Sequence, residues 1–169
     1  MAVEVRVASP KDAADLARVN RRSILEICAK DYPGVDLSAW VENKTPENFR
    51  KWEGDSDKTV VTGLLDGKIH GVGLLKHDGW IKLCYVSPEA LGKGLGKAIL
   101  QFMETEAKTK GIKTIKLEST ITAKDFYLRN GYKQGPKESC SACPGIKAFP
   151  MEKTLTKEPG QNPGRGNGQ

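Results

Sequence analysis

Residues 86–97 read V-S-P-E-A-L-G-K-G-L-G-K, and their flanks decide the fold. Gly92, Gly94 and Gly96 alternate. Glycine lets the chain turn sharply and lets a ligand approach the backbone. Just downstream, Leu95, Ala98, Ile99, Phe102, Met103 and Ala107 recur at helical spacing. A helix that opens at this loop presents unpaired N–H groups and the positive end of its dipole. Together these predict an anion site suited to a pyrophosphate, with Lys93 and Lys97 adding charge nearby. A plain tight turn with helix-packing glycines is the alternative. The phosphate loop G-x-x-x-x-G-K-S/T is excluded, because Lys97 is followed by Ala98. The dinucleotide fingerprint G-x-G-x-x-G is excluded too, because Gly96 arrives one residue early.

Upstream, the pattern is that of strands. Lys58–Leu65 and Lys68–Lys76 flank Asp66-Gly67, a strong two-residue hairpin turn. After Asp78-Gly79 a third strand runs from Trp80 to Val86. This antiparallel meander is not the parallel unit that opens a doubly wound dinucleotide fold. Further upstream, Val3–Val7 alternates as a strand. Ser9-Pro10-Lys11-Asp12 starts helical structure that runs to about Lys30. Thr45-Pro46-Glu47 opens a short helix ending near Trp52. Downstream, Gly111 ends the long helix and Ile112–Ser119 comes next as a strand parallel to the one before the loop. Residues 122–125 cap a short helix holding Phe126, Tyr127 and Leu128, and two strands come after it, near Tyr132–Gln134 and Ile146–Glu152. The predicted order is β-α-α-β-β-β-α-β-α-β-β.

With 169 residues the chain suits one domain. Hydrophobic residues at 38% and charged residues at 28% are ordinary for a globular protein. No apolar run approaches bilayer length, and M-A-V-E-V-R-V-A-S-P lacks the pattern of a signal peptide. These features, with only four cysteines, lead us to expect a cytoplasmic protein without membrane association. Cys140 and Cys143 form a C-x-x-C, but no second ligand pair has zinc-site spacing, so two loop thiols are the favoured reading and no metal is expected. The net charge of +6 comes with lysines interleaved among acids, the pattern of a solvated surface. No recognition motif or basic patch interleaved with aromatics is present, so nucleic acid is not an expected partner. The segment 157–169, K-E-P-G-Q-N-P-G-R-G-N-G-Q, has no apolar anchor and reads as a disordered tail behind a 1–156 domain.

Several ordered motifs resemble the GNAT superfamily of N-acetyltransferases. Val86-Ser87-Pro88 is similar to its V-x-P, and Leu91-Gly92-Lys93-Gly94-Leu95-Gly96 to its Q/R-x-x-G-x-G/A acyl-CoA signature. Residues 123–132, A-K-D-F-Y-L-R-N-G-Y, are similar to A-x-x-F-Y-x-x-x-G-F, and Pro150-Met151-Glu152-Lys153 to P-M-x-K. The resemblance covers roughly residues 3 to 155. Leu91 departs from the signature, and Thr120 stands where the family often has asparagine.

The resemblance implies an α/β (or α+β) fold with a mixed, mostly antiparallel sheet of about seven strands flanked by helices and splayed between strands four and five. It implies acetyl-CoA as co-substrate and direct transfer of acetyl to a primary amine of a small molecule or protein; a non-catalytic acyl-CoA sensor is the alternative. The backbone of Cys84, Tyr85 and Val86 would pair with the pantetheine arm. Leu91, Gly92, Lys93, Gly94, Leu95, Gly96 and Lys97 would hold the pyrophosphate, with Thr120 and Tyr127 also at the cofactor. Tyr127 would protonate the leaving thiolate, the other reading being a core aromatic. The family's strand glutamate is replaced by Trp80, which leaves Glu118, Glu89, His77 or a water relay to deprotonate the amine. Cys84 reads as a small strand residue and not as a nucleophile. Asp31, Tyr32 and Trp40 are candidates for the acceptor pocket, with core packing the alternative for the tryptophan. A homodimer is among the assemblies considered.

Overall fold

The structure is a computed structural model that describes residues 2–135, 139–140 and 145–155. Cys143 and the 157–169 tail lie outside the described residues, as does the side chain of Cys140. The order is β1 (Val3–Val7), α1 (Ala13–Arg22), α2 (Ser38–Val41), α3 (Pro46–Gly54), β2 (Lys58–Leu65), β3 (Lys68–Lys76), β4 (Ile81–Val86), α4 (Leu95–Thr109), β5 (Thr114–Ser119), α5 (Lys124–Arg129), β6 (Lys133–Gln134), β7 (Ser139–Cys140) and β8 (Lys147–Thr154). No helix among the described residues is long and apolar enough to cross a membrane. None of their His, Cys, Asp or Glu side chains group as a metal site.

The expected meander is present as an antiparallel sheet ordered β1-β2-β3-β4. Its tight turn has positive φ at both Asp66 (52°) and Gly67 (80°), the conformation that matches strand twist. A second sheet is ordered β5-β8-β6, with β7 pairing β8. The final long strand inserts between β5 and β6, an order that no local pattern reveals. Among the described residues the two sheets meet at one end only, through a parallel bridge between Trp80 and Lys116 and a bond from Lys116 N to Gly79 O of 2.9 Å. Beyond it β4 and β5 diverge, so the splay expected between the fourth and fifth strands is present. Trp80 belongs to this closure and not to β4 as expected, and β5 begins at Thr114, not Ile112.

Helix α4 covers one face of the meander and buries Leu95, Ile99, Leu100, Met103 and Ala107. Each large apolar side chain buried this way contributes about 1.5–3 kcal/mol. Gly63, Gly71 and Gly73 form a stripe beneath it. A Cβ at Gly63 would lie 2.7 Å from Ile99 Cδ1 and one at Gly73 2.9 Å from Ile99 Cγ2; one at Gly71 would overlap Ile99 Cδ1. The missing side chains let the helix sit low on the sheet.

The opposite face packs on α1 and α3, through Leu16, Ala17, Val19 and Phe49 against Val60, Val72, Leu74 and Leu83. The start of the first helical run is held by Asp12. Its carboxylate accepts from Ser9 N (2.9 Å), Thr62 Oγ1 (3.0 Å) and both terminal nitrogens of Arg6 (2.7 and 3.1 Å). After α1 the run continues as a π turn, Ser23–Ile27, and a 3-10 turn, Cys28–Asp31. A π turn adds a residue to the helix and so re-aims the chain beyond it, here Asp31 and Tyr32. At α3, Thr45 Oγ1 accepts from Asn48 N at 3.1 Å, the expected cap. At α5 the expected cap is absent: the N-cap residue is Ala123, no side chain caps the helix, and Thr120 Oγ1 instead accepts from Ala123 N at 3.1 Å in the turn before it.

Candidate active site

The gap between β4 and β5 is a cleft open to solvent and lined by Ile81, Lys82, Leu83, Cys84, Tyr85, Leu117, Glu118, Thr120, Ala123 and Tyr127. Five of the expected site residues therefore meet there: Cys84, Tyr85, Glu118, Thr120 and Tyr127. Strand alternation sorts them. Cys84 and Val86 face α4, packed with Tyr127 and Phe126. Tyr85 faces the other way, packed against Ile24, Cys28, Tyr32, Trp40 and Ile146. A bulge at Lys82, where Leu74 and Leu75 pair with Leu83 and Ile81, resets the register at the narrow end of the cleft.

The main chain of β4 alternates as well. Ser87 N donates to His70 O at 2.8 Å, so the peptide groups of Tyr85 turn toward β3. Those of Cys84 and Val86 then point across the gap. Among the described residues the parallel contact to β5 ends at Trp80, so these two positions offer main-chain donors and acceptors to an extended ligand arm. Tyr85 contributes its ring to the opposite face instead.

Tyr127, on α5, is buried at 6% exposure. Its ring meets Phe126 and Tyr132 edge-on, with centroids 5.2 and 5.5 Å away. Tyr132 donates to Glu104 at 2.8 Å, and Lys153 bonds both oxygens of Glu104 at 3.2 Å and Asn130 O at 3.0 Å. This buried, fully partnered cluster braces the wall behind Tyr127. Burial raises the Tyr127 pKa well above that of a free phenol. The phenol neighbours Cys84, whose thiol donates to Gly96 O at 3.9 Å. Burial pushes the Cys84 thiol up to about 12, so it stays protonated and is a poor nucleophile.

The glycine loop lies where Val86 leads into α4. Gly92 (φ 73°) and Gly94 (φ 84°) are left-handed, and a Cβ at either would project into open space. The conformation, not crowding, requires glycine there. The first helical bond is Ala98 N to Gly94 O at 3.1 Å, so Leu95, Gly96 and Lys97 have first-turn N–H groups without intrahelical partners. Leu95 is fully buried and brings only its backbone to the loop, whereas Leu91, Lys93 and Lys97 are exposed. Main-chain donors, the dipole of a 15-residue helix and two lysines fit the pyrophosphate of a CoA.

An unforeseen clamp fixes this loop. Arg22, at the end of α1, donates to both oxygens of Glu89 at 2.7 and 2.6 Å and to Glu26 at 2.8 Å. Glu89 sits in the turn Pro88–Ala90 just before the loop. The Arg22 guanidinium holds its carboxyl down to about 2, so Glu89 is a weak base committed to an ion pair. His77 lies at the far end of β3, with Nε2 2.9 Å from Thr59 Oγ1. Of the candidate bases, only Glu118 lines the cleft.

On the acceptor side, Tyr32 and Trp40 are buried and meet edge-on at 5.6 Å. The Tyr32 hydroxyl donates to Lys147 O at 2.8 Å and accepts from Ile121 N at 2.9 Å. Asp31 accepts from Thr122 Oγ1 at 2.7 Å. Both residues clasp the loop after β5; Tyr32 and Trp40 pack behind Tyr85, and none of Asp31, Tyr32 and Trp40 is among the residues that line the cleft.

The Acetyltransferase (GNAT) domain family model matches residues 28–155. No curated protein matches the chain. Among solved structures, the chain is similar to a GCN5-related N-acetyltransferase from Rhodopseudomonas palustris, with TM-score 0.81 and 23% identity over 92% of this chain and 97% of that one. It is also similar to PaiA N-acetyltransferase from Thermoplasma acidophilum, solved in complex with coenzyme A, with TM-score 0.79 and 25% identity over 92% of this chain and 100% of that one. A GNAT-family acetyltransferase from Streptococcus pneumoniae has TM-score 0.67 and 21% identity, over 92% of this chain and 100% of that one.

Proposed function

The chain belongs to the GNAT family of N-acetyltransferases, with acetyl-CoA as co-substrate, and from that premise we propose that residues 1–156 transfer acetyl directly to a primary amine of a small molecule or a protein, in the cytoplasm. Acetyl-CoA supplies an acetyl group activated as a thioester; the amine forms the new N–C bond as the C–S bond breaks. The backbone of Leu91–Lys97 binds the pyrophosphate, and the gap-facing peptide groups of Cys84 and Val86 orient the arm that carries the acetyl group. Thr120 shapes the lip of the cleft by closing the turn before α5.

The observation that carries the reading is Tyr127 itself, a buried phenol that lines the cleft opposite β4 and beside Cys84. A neutral phenol so placed delivers its proton to a departing thiolate. Glu118 removes the amine proton from the β5 side, through water where the acceptor stands off. Tyr85, backed by Tyr32 and Trp40, gives the acceptor an aromatic wall, and Asp31 supplies negative charge nearby for a cationic amine.

The test is release of free thiol from acetyl-CoA with a panel of polyamines, amino acids, aminoglycosides and lysine peptides. Turnover with at least one amine is expected, with one thiol formed per amide. Thermal stabilisation by acetyl-CoA without turnover on any acceptor would instead support an acyl-CoA sensor.

A further inference from the structure

We propose that the open edge of β1 pairs antiparallel with the same edge of a second copy of this chain, about a two-fold axis at Val5. β1 is the outer strand of its sheet and pairs only with β2 among the described residues. Asp66 N bonds Ala2 O and Ala8 N bonds Val60 O, each at 2.8 Å. The even-numbered residues of β1 therefore direct their peptide groups to β2, and those of Val3, Val5 and Val7 point outward. This edge is accessible: Val3 is 39% exposed, Val7 is 51% exposed and Glu4 is exposed.

The sequence selects the partner. Val3-Glu4-Val5-Arg6-Val7 is symmetric about Val5 in its apolar positions and of opposite charge at the two between them. Pairing two copies with Val5 opposite Val5 sets Val3 against Val7 and Glu4 against Arg6, on both sides of the axis. Every outward N–H and C=O of the three valines then finds a partner. All the valines fall on the face that carries α4, where Val5 already packs. Glu4 and Arg6 share the other face, and Arg6 keeps 39% of its side chain exposed beside Asp12, open to a second carboxylate.

Charges on an edge strand normally guard against such pairing. They do so through repulsion or burial, whereas here each charge meets its opposite. The axis makes the contact isologous and closed, so it yields a dimer and not a fibre. The interface is small, and the association is correspondingly weak.

Sedimentation of the full chain over a concentration series up to about 1 mM tests the pairing. A monomer–dimer equilibrium is expected. Glu4→Lys puts like charges opposite each other at both ends and is expected to raise the dimer Kd about tenfold or more, less so at high salt. Val5→Pro removes an outward N–H and no bond to β2, and is expected to abolish the dimer. Glu4 is exposed, so its variant keeps the test decisive if the proline variant fails to fold. A chain that stays monomeric throughout, or a dimer whose Kd is unmoved by Glu4→Lys, overturns the proposal.

Discussion

Burial keeps the Tyr127 phenol neutral, and its ring stays locked between Phe126 and Tyr132. Tyr127→Phe retains the packing and deletes only the proton. The expected result is a kcat lower by about 10²–10⁴-fold with the acetyl-CoA KM little changed, read from steady-state thiol release. Asp12 shows a different use of charge. The Arg6 guanidinium holds its carboxyl down to about 2, from 3.8. A carboxyl depressed in the folded state stabilises fully above its unfolded pKa, near pH 4, and loses that contribution as pH falls through about 2. Asp12→Asn is therefore expected to lower stability at pH 7 by about 2 kcal/mol and to flatten the acid limb of the stability profile between pH 4 and 2, measured by urea unfolding. Tyr127 was legible because its segment has a recurring local pattern. Its packing beside Cys84 was not, since only the approach of α5 to β4 creates it.

At the scale of elements, the meander, the glycine loop and α4 were legible, because alternation, turn chemistry and helical spacing are local signals. The stripe of Gly63, Gly71 and Gly73 was not read, although glycine inside a strand marks close backbone approach. The Arg22–Glu89 clamp and the insertion of β8 between β5 and β6 left no local signal, since each depends on segments distant in sequence. The π turn was hidden because its residues are ordinary helix formers; only the geometry around Tyr32 reveals it. The stripe gives the element-scale prediction. Gly71→Val forces α4 away from β3 and is expected to cost about 1–3 kcal/mol, seen as a lower denaturation midpoint at unchanged slope.

At the scale of the whole molecule, two sheets joined at one end leave an open cleft whose walls are β4, β5 and α5. A CoA bound along β4 touches elements of both sheets and stabilises the folded form by mass action. At a concentration of about 100 Kd the gain is about 2.7 kcal/mol, which for a chain of this length raises Tm by about 5–10 °C. Scanning calorimetry with and without CoA checks this, and an unmoved Tm counts against the assigned cleft.

The alternation of β4 has a consequence for how such a protein diversifies. Cys84 and Val86 look toward α4, while Tyr85, between them, looks toward Tyr32 and Trp40. On the function proposed above, neighbouring codons would thus govern separate things, one the handling of the donor and one the choice of the recipient. Changes at Tyr85, Tyr32 and Trp40 would then retune the recipient while the donor side stays fixed.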